Sequence, residues 1–146
     1  MKRTLPGDMV QKMKDAISAA GITQSPTVMF TTRPRFERKD LKEARIFIAP
    51  TAPDIQRVTR GVVIENPAFE VALARAIVES NNGDPMKDLD SHSMDAMFQT
   101  QSELIQVLAK VDGVVSVEAT TGPNNGTFSD AGVWFTVYRV TFFGGQ

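Results

Sequence analysis

His92 is the only histidine in the chain, and it stands in Asp90-Ser91-His92-Ser93, beside a carboxylate and two hydroxyls. An imidazole flanked in this way is a formal candidate for general acid–base work. The same residues read better as the polar entry to a helix, because no nucleophile and base recur at a spacing that would complete a catalytic set. Asp84, Asp88, Asp90 and Asp95 bring carboxylates together as a hard cation requires, but without the spacing and closing glutamate of a calcium loop, so a solvated loop is preferred. Gly-x-Ser-x-Gly, a Gly-rich phosphate loop ending in lysine and the dinucleotide fingerprint do not occur in the sequence. Cysteine is absent, which excludes thiolate nucleophiles, cysteine-based zinc sites and disulfides. The expectation is a non-enzymatic protein with no cofactor and no metal.

The cations are more informative. Arg33, Arg35, Arg38 and Lys39 surround Phe36, an arrangement compatible with binding single-stranded nucleic acid. Glu37 and Asp40 dilute that cluster, and 16 basic residues against 17 acidic ones give a net charge of −1, which does not suit a protein that lives on phosphate neutralisation. A charged connector or the polar rim of a protein interface is therefore preferred for Arg33, Arg35 and Arg38, and no sequence-specific nucleic acid is expected. Arg57 and Arg60 carry the same two readings, with an interface again preferred. Most of the methionines fall on two helical segments, where adaptable packing accounts for them.

The elements that must position these residues follow from periodicity. Met9, Val10, Met13, Ala16, Ile17 and Ala20 recur at helical spacing from about Gly7 to Ala20, with Gly21 placed to stop the helix. Val28–Thr32 reads as a strand, and Pro34 restricts it to an edge. Arg45–Ala49 is a short apolar strand that Pro50 is expected to end. Thr51–Pro67 holds two prolines, two arginines, one glycine and only a weak apolar patch, Val62-Val63-Ile64; it is expected to be a long, partly extended loop. Phe69–Ile77 alternates, with Phe69, Val71, Leu73 and Ile77 assigned to one side and Glu70 and Arg75 to the other, so it pairs with Arg45–Ala49 as a hairpin with an oversized connection.

Glu79–Asp90 is polar and turn-like. A second helix follows, capped by Ser93, with Asp95 suited to its first turn; Met94, Met97, Phe98, Leu104, Ile105, Leu108 and Val111 form its stripe, and Asp112-Gly113 closes it. Val114–Ala119 is the next strand, and Thr120–Asp130 a Gly/Asn/Pro-rich loop. Val133–Phe143 then forms a terminal strand of about 36 Å, in which Trp134, Thr136, Tyr138, Val140 and Phe142 alternate with Val133, Phe135, Val137, Arg139, Thr141 and Phe143. Both its faces are largely apolar or β-branched, as in a central strand covered by helices on one side and a partner on the other; an ordinary core strand of a monomeric domain fits equally well.

The fold class expected is α+β, a mixed, mostly antiparallel sheet with two helices on one face, forming a single domain over residues 1–146. The N-terminal Lys2 and Arg3 run into Leu5-Pro6-Gly7-Asp8 instead of an apolar stretch, so neither a signal peptide nor a membrane span is expected. The terminal strand carries more apolar surface than two short helices readily cover, and symmetric closure would remove exposed edges, which leads to the expectation of a closed ring.

The amphipathic first helix, the proline-bounded strand Ile46-Phe47-Ile48-Ala49-Pro50, the Arg-containing loop after it, the alternating Phe69–Ile77, the second helix and a closing aromatic strand with Tyr138-Arg139-Val140 come in an order that resembles the tail terminator, or tail-completion, proteins of long-tailed bacteriophages. The resemblance is one of element order and strand character over nearly the whole chain. It implies a virion structural protein, assembled in the host bacterial cytoplasm, that caps the finished tail tube as a ring, generally a hexamer, and joins it to the head connector. Its expected partners are its own copies, the tail tube protein and a connector or neck protein, with no membrane. Thr51–Pro67 is then an assembly loop, with Arg57 and Arg60 meeting acidic groups of a neighbour and Ile64 supplying a small apolar anchor. Another neck or head-completion protein and a monomeric α+β binding module are the alternatives.

Overall fold

The computed structural model describes residues 6–23, 26–31, 43–76, 91–121 and 133–144, without the side chains of 76, 91–95, 121 and 133. The elements are α1 (Pro6–Ala20), β1 (Thr27–Phe30), β2 (Arg45–Thr59), β3 (Val62–Ala76), α2 (Ser91–Lys110), β4 (Val114–Thr121) and β5 (Val133–Phe142). The strands form one sheet in the order β1-β2-β3-β5-β4, in which only β1 and β2 run parallel. This is the α+β class, with a mixed, mostly antiparallel sheet.

Each helix buries one stripe. Met9, Val10, Met13 and Ile17 of α1 are buried at helical spacing; Pro6 occupies the first position, where a missing N–H costs nothing, and Gly21, at φ 61°, ends the helix in the left-handed region. Met97, Thr100, Leu104 and Leu108 form the corresponding stripe of α2. That helix begins at Ser91, so Ser93, expected at the cap position, lies inside its first turn.

The helices share a core with one face of the sheet: Ile46 and Ile48 from β2, Phe69, Val71 and Leu73 from β3, and Trp134, Tyr138, Val140 and Phe142 from β5. Trp134 meets Phe98 edge-on at 4.9 Å, and Phe69 meets Phe142 at 5.8 Å in the same geometry. Arg75 pairs with Trp134 in register and therefore stands on this helix-bearing face with Leu73, not on the face of Glu70 where it was expected; strict alternation from Phe69 already requires this. On the other face Phe47, Ala72, Ala74 and Val137 form a second, smaller cluster, in register across three strands.

A polar clamp ties the end of α1 to α2. Thr23 donates its backbone N–H to Glu103 Oε2 at 2.8 Å and its hydroxyl to Oε1 at 3.2 Å, while Gln99 donates to Oε1 at 3.1 Å. These donors, the Thr23 N–H first, hold the Glu103 carboxyl below the usual carboxylate range. The buried Thr100 hydroxyl lies 2.7 Å from the Ala96 carbonyl and 3.0 Å from that of Thr23, sharing its proton between them.

Candidate assembly interface

The strand that Pro50 was expected to end continues for nine residues beyond it, and Thr51–Pro67 is not a loop but the outer half of a continuous hairpin. Two features explain the difference. Proline removes a ladder donor, yet β1 pairs with β2 only as far as Phe30 opposite Ile48, so from there outwards β2 has no second neighbour among the described residues and tolerates proline. The turn is the two residues Arg60 and Gly61, with Gly61 at φ 83°, a conformation that glycine adopts without strain. The oversized connection is thus a tight turn at the end of a long two-stranded arm.

The arm starts at an irregularity. Thr51 pairs with Ala68 and Asp54 with Asn66, so Ala52 and Pro53 on one strand face Pro67 on the other. Two contacts from the end of β5 fix this joint. Arg139 Nη2 donates to the Ala52 carbonyl at 2.8 Å, and the Gly144 N–H donates to the side-chain oxygen of the buried Asn66 at 2.9 Å. Gly144 lies so close to Glu65 that an added Cβ would fall on the Glu65 carbonyl oxygen. Arg139 itself stands in register between Glu70 of β3 and Glu118 of β4, so the cation that the terminal strand admits holds the arm's root within a row of carboxylates.

Beyond the joint, Asp54–Thr59 runs about 20 Å against Val62–Asn66, and no further strand or helix flanks it among the described residues. Pairing places Ile55, Arg57, Val63 and Glu65 on one face and Asp54, Gln56, Val62, Ile64 and Asn66 on the other, with Val58 the extra residue of a second irregularity. Ile55 is 67 % exposed, Val63 57 %, Val58 52 % and Val62 52 %. The arm therefore carries β-branched residues suited to a core on both faces, with no layer to cover them. A two-stranded hairpin alone in water is marginally stable at best, and apolar patches that project in this way mark interaction surfaces.

The structure brings together three of the residues singled out from the sequence. Arg57 and Arg60 are exposed near the tip of the arm, and Ile64 is half-buried on it. Arg33, Arg35 and Arg38 lie outside the described residues, as do Asp84, Asp88 and Asp90; His92 and Asp95 fall within α2, in its undescribed side-chain stretch. Among the described residues no group of three or more His, Cys, Asp or Glu is placed to hold a metal ion, and no helix is long and apolar enough to cross a membrane. An open depression on the solvent face of α1 is lined by Asp8, Gln11, Lys12 and Asp15, but Gln11 bonds Asp15 at 2.7 Å and Lys12 pairs with Asp112 at 3.8 Å, so these groups largely serve one another.

Sequence reasoning missed Ile55, Val58, Val62 and Val63 as a set. The signal was present as Arg60-Gly61 between two runs rich in β-branched residues, Val58-Thr59 and Val62-Val63-Ile64. No protein-family model matches this chain, and no curated protein matches it either.

Proposed function

We propose that this chain is a non-enzymatic structural subunit of a long-tailed bacteriophage, a tail terminator that closes the tail tube as a ring, generally of six copies, and joins it to the head connector. The observation that carries this reading is the arm: a hairpin rooted in the sheet by Arg139, Asn66 and Gly144, exposing apolar side chains on both faces. A subunit that builds such an element gains from it only when a neighbour covers it. The order of helices and strands supports the choice of family through the two helices and the closing aromatic strand, while the Arg-containing loop of the resemblance is a hairpin arm in this chain.

In this reading the arm reaches an adjacent copy, Arg57 and Arg60 meet acidic groups there, and the tube and the connector contact opposite faces of the ring. The protein works in the neck of the virion. Light scattering over a range of concentrations, with and without purified tail tubes, tests the proposal. The expected result is a species of about six times the 16.0 kDa chain mass, formed alone or on tubes. A strict monomer that also fails to bind tubes contradicts it.

A further inference from the structure

The two sides of the arm are not equivalent. The outer side of β2 is blunted by Pro50, Pro53 and the irregularity at Val58. The outer side of β3 has regular pairing and no proline from Val62 to Asn66, and β5 pairs with β3 only from Ala68 onwards. The chain following β5 comes alongside Glu65 and Asn66, where Gly144 abuts the Glu65 carbonyl, and goes no further among the described residues. Since the Glu65 carbonyl faces Gly144, alternation turns the N–H and C=O of Val63 to the same side, towards an edge with no partner among the described residues.

A second edge without a partner among the described residues lies on the opposite flank of the sheet. The Thr27 N–H donates to the Ala44 carbonyl at 3.3 Å and the Thr31 N–H to the Ile48 carbonyl at 2.9 Å, so the amides of Val28 and Phe30 face away from β2. The strand Thr27–Phe30 carries no charge, no proline and no irregularity, and Met29 and Phe30 are exposed. Apart from its short length of four residues, it carries none of the side-chain or backbone devices by which edge strands avoid pairing.

We infer that strand β1 of a second copy adds to the open edge of β3 at Val62–Ile64, extending the arm into a three-stranded sheet. The inference rests on the ring reading and names the surfaces that make the ring. The direction of the edges selects this occupant. The open side of β3 faces the flank on which β5 and β4 lie, and the open side of β1 faces the other flank. An edge facing one way and an edge facing the opposite way meet through a head-to-tail contact, which repeats around a ring. The edge of β4 faces the same way as that of β3, so the two meet only through a two-fold axis; β4 is also blunted by two register irregularities and by Glu118.

The absence of cysteine makes the test direct. Val63→Cys is combined in turn with Val28→Cys, Met29→Cys and Phe30→Cys, and the assembled protein is oxidised. Since bridged Cα atoms stand within about 7 Å, at least one combination is expected to give a covalent ladder up to the full ring, while Val63→Cys alone gives none. In parallel, Val63→Pro removes the outward N–H without touching the bonds between β2 and β3. It is expected to raise the concentration for half-assembly by roughly tenfold or more, whereas Val63→Thr, which keeps the N–H, leaves it unchanged. A ring of normal mass that yields no ladder in any combination and is indifferent to Val63→Pro overturns the pairing and leaves the ring reading standing. A disulfide dimer from Val63→Cys alone shows a two-fold contact between arms and also overturns it. Absence of any ring, with or without tail tubes, removes both.

Discussion

The two halves of one hairpin show how far neighbours, and not residue types, decide what a strand does. From Arg45 to Thr51 and from Ala68 to Ala76, β2 and β3 lie between β1 and β5 beneath two helices, and Ile46, Ile48, Val71 and Leu73 are fully buried. From Asp54 to Glu65 the same two strands carry Ile55, Val58, Val62, Val63 and Ile64, with neither a flanking strand nor a helix among the described residues. The apolar side chains of the inner half are satisfied within the chain. Those of the outer half have no covering layer among the described residues, and in the proposed ring a second molecule supplies it. The inner half should therefore govern folding and the outer half assembly, and substitutions in the two should affect different measurements.

The largest loss of stability is expected in the inner half. Leu73→Ala removes a fully buried side chain from the centre of the sheet and should lower unfolding free energy by about 2–5 kcal/mol in denaturant titration. A smaller change at this position would mean that the body is loosely packed, and the contrast with the arm would weaken. Gly144→Ala comes next. Its Cβ would meet the Glu65 carbonyl, so the bond to Asn66 should be lost at a cost of about 1 kcal/mol, with assembly impaired more than melting because the root of the arm is released.

The clamp between α1 and α2 adds a pH-dependent contrast. The Glu103 carboxyl is held below the usual range by Thr23 and Gln99, so its contribution is present above the unfolded-state value and lost as pH falls through the folded-state value. Glu103→Gln should therefore melt below the parent protein at neutral pH and converge with it in acid, with no specific effect on assembly. The smallest effect on folding is expected at the arm. Ile55→Ser, at an exposed position, should change unfolding free energy by no more than about 0.5 kcal/mol while weakening the ring. An equal loss in both measurements would show that the arm is part of the folding unit.

The inner half was largely legible in the sequence and the outer half was not, for a physical reason. One-sided burial writes itself into a sequence as periodicity, from which α1 and the stripe of α2 follow; Pro34 points to the edge position of β1, and apolar residues on both faces to an interior position for β5. The arm is exposed on both faces, so its side chains follow no alternation of burial, and Pro50 and Pro53 suggest a break where the loss of β1 as a neighbour makes proline harmless. What remained readable was turn chemistry, with Gly61 following Arg60 between β-branched runs. Of the residues taken for an interface, Arg57, Arg60 and Ile64 lie on the arm, a paired hairpin where a loop was expected. Their charge and exposure could be read without knowing that the segment was a hairpin, whereas the grouping of Ile55, Arg57 and Val63 on one face depends on a register that only the paired strands define.

Hydrogen exchange, compared between the free subunit and the assembled form, tests most directly the claim that the body is complete by itself and the arm is completed by a neighbour. The amides of β3 from Ala68 to Ala76 and of β5 should exchange slowly in both states. Those from Asp54 to Glu65 should exchange rapidly in the free subunit, as a marginal two-stranded hairpin does, and become strongly protected on assembly, with the Val63 amide among them. Arm amides as well protected as the body in the free subunit, or still rapidly exchanging in the assembled ring, would contradict the account.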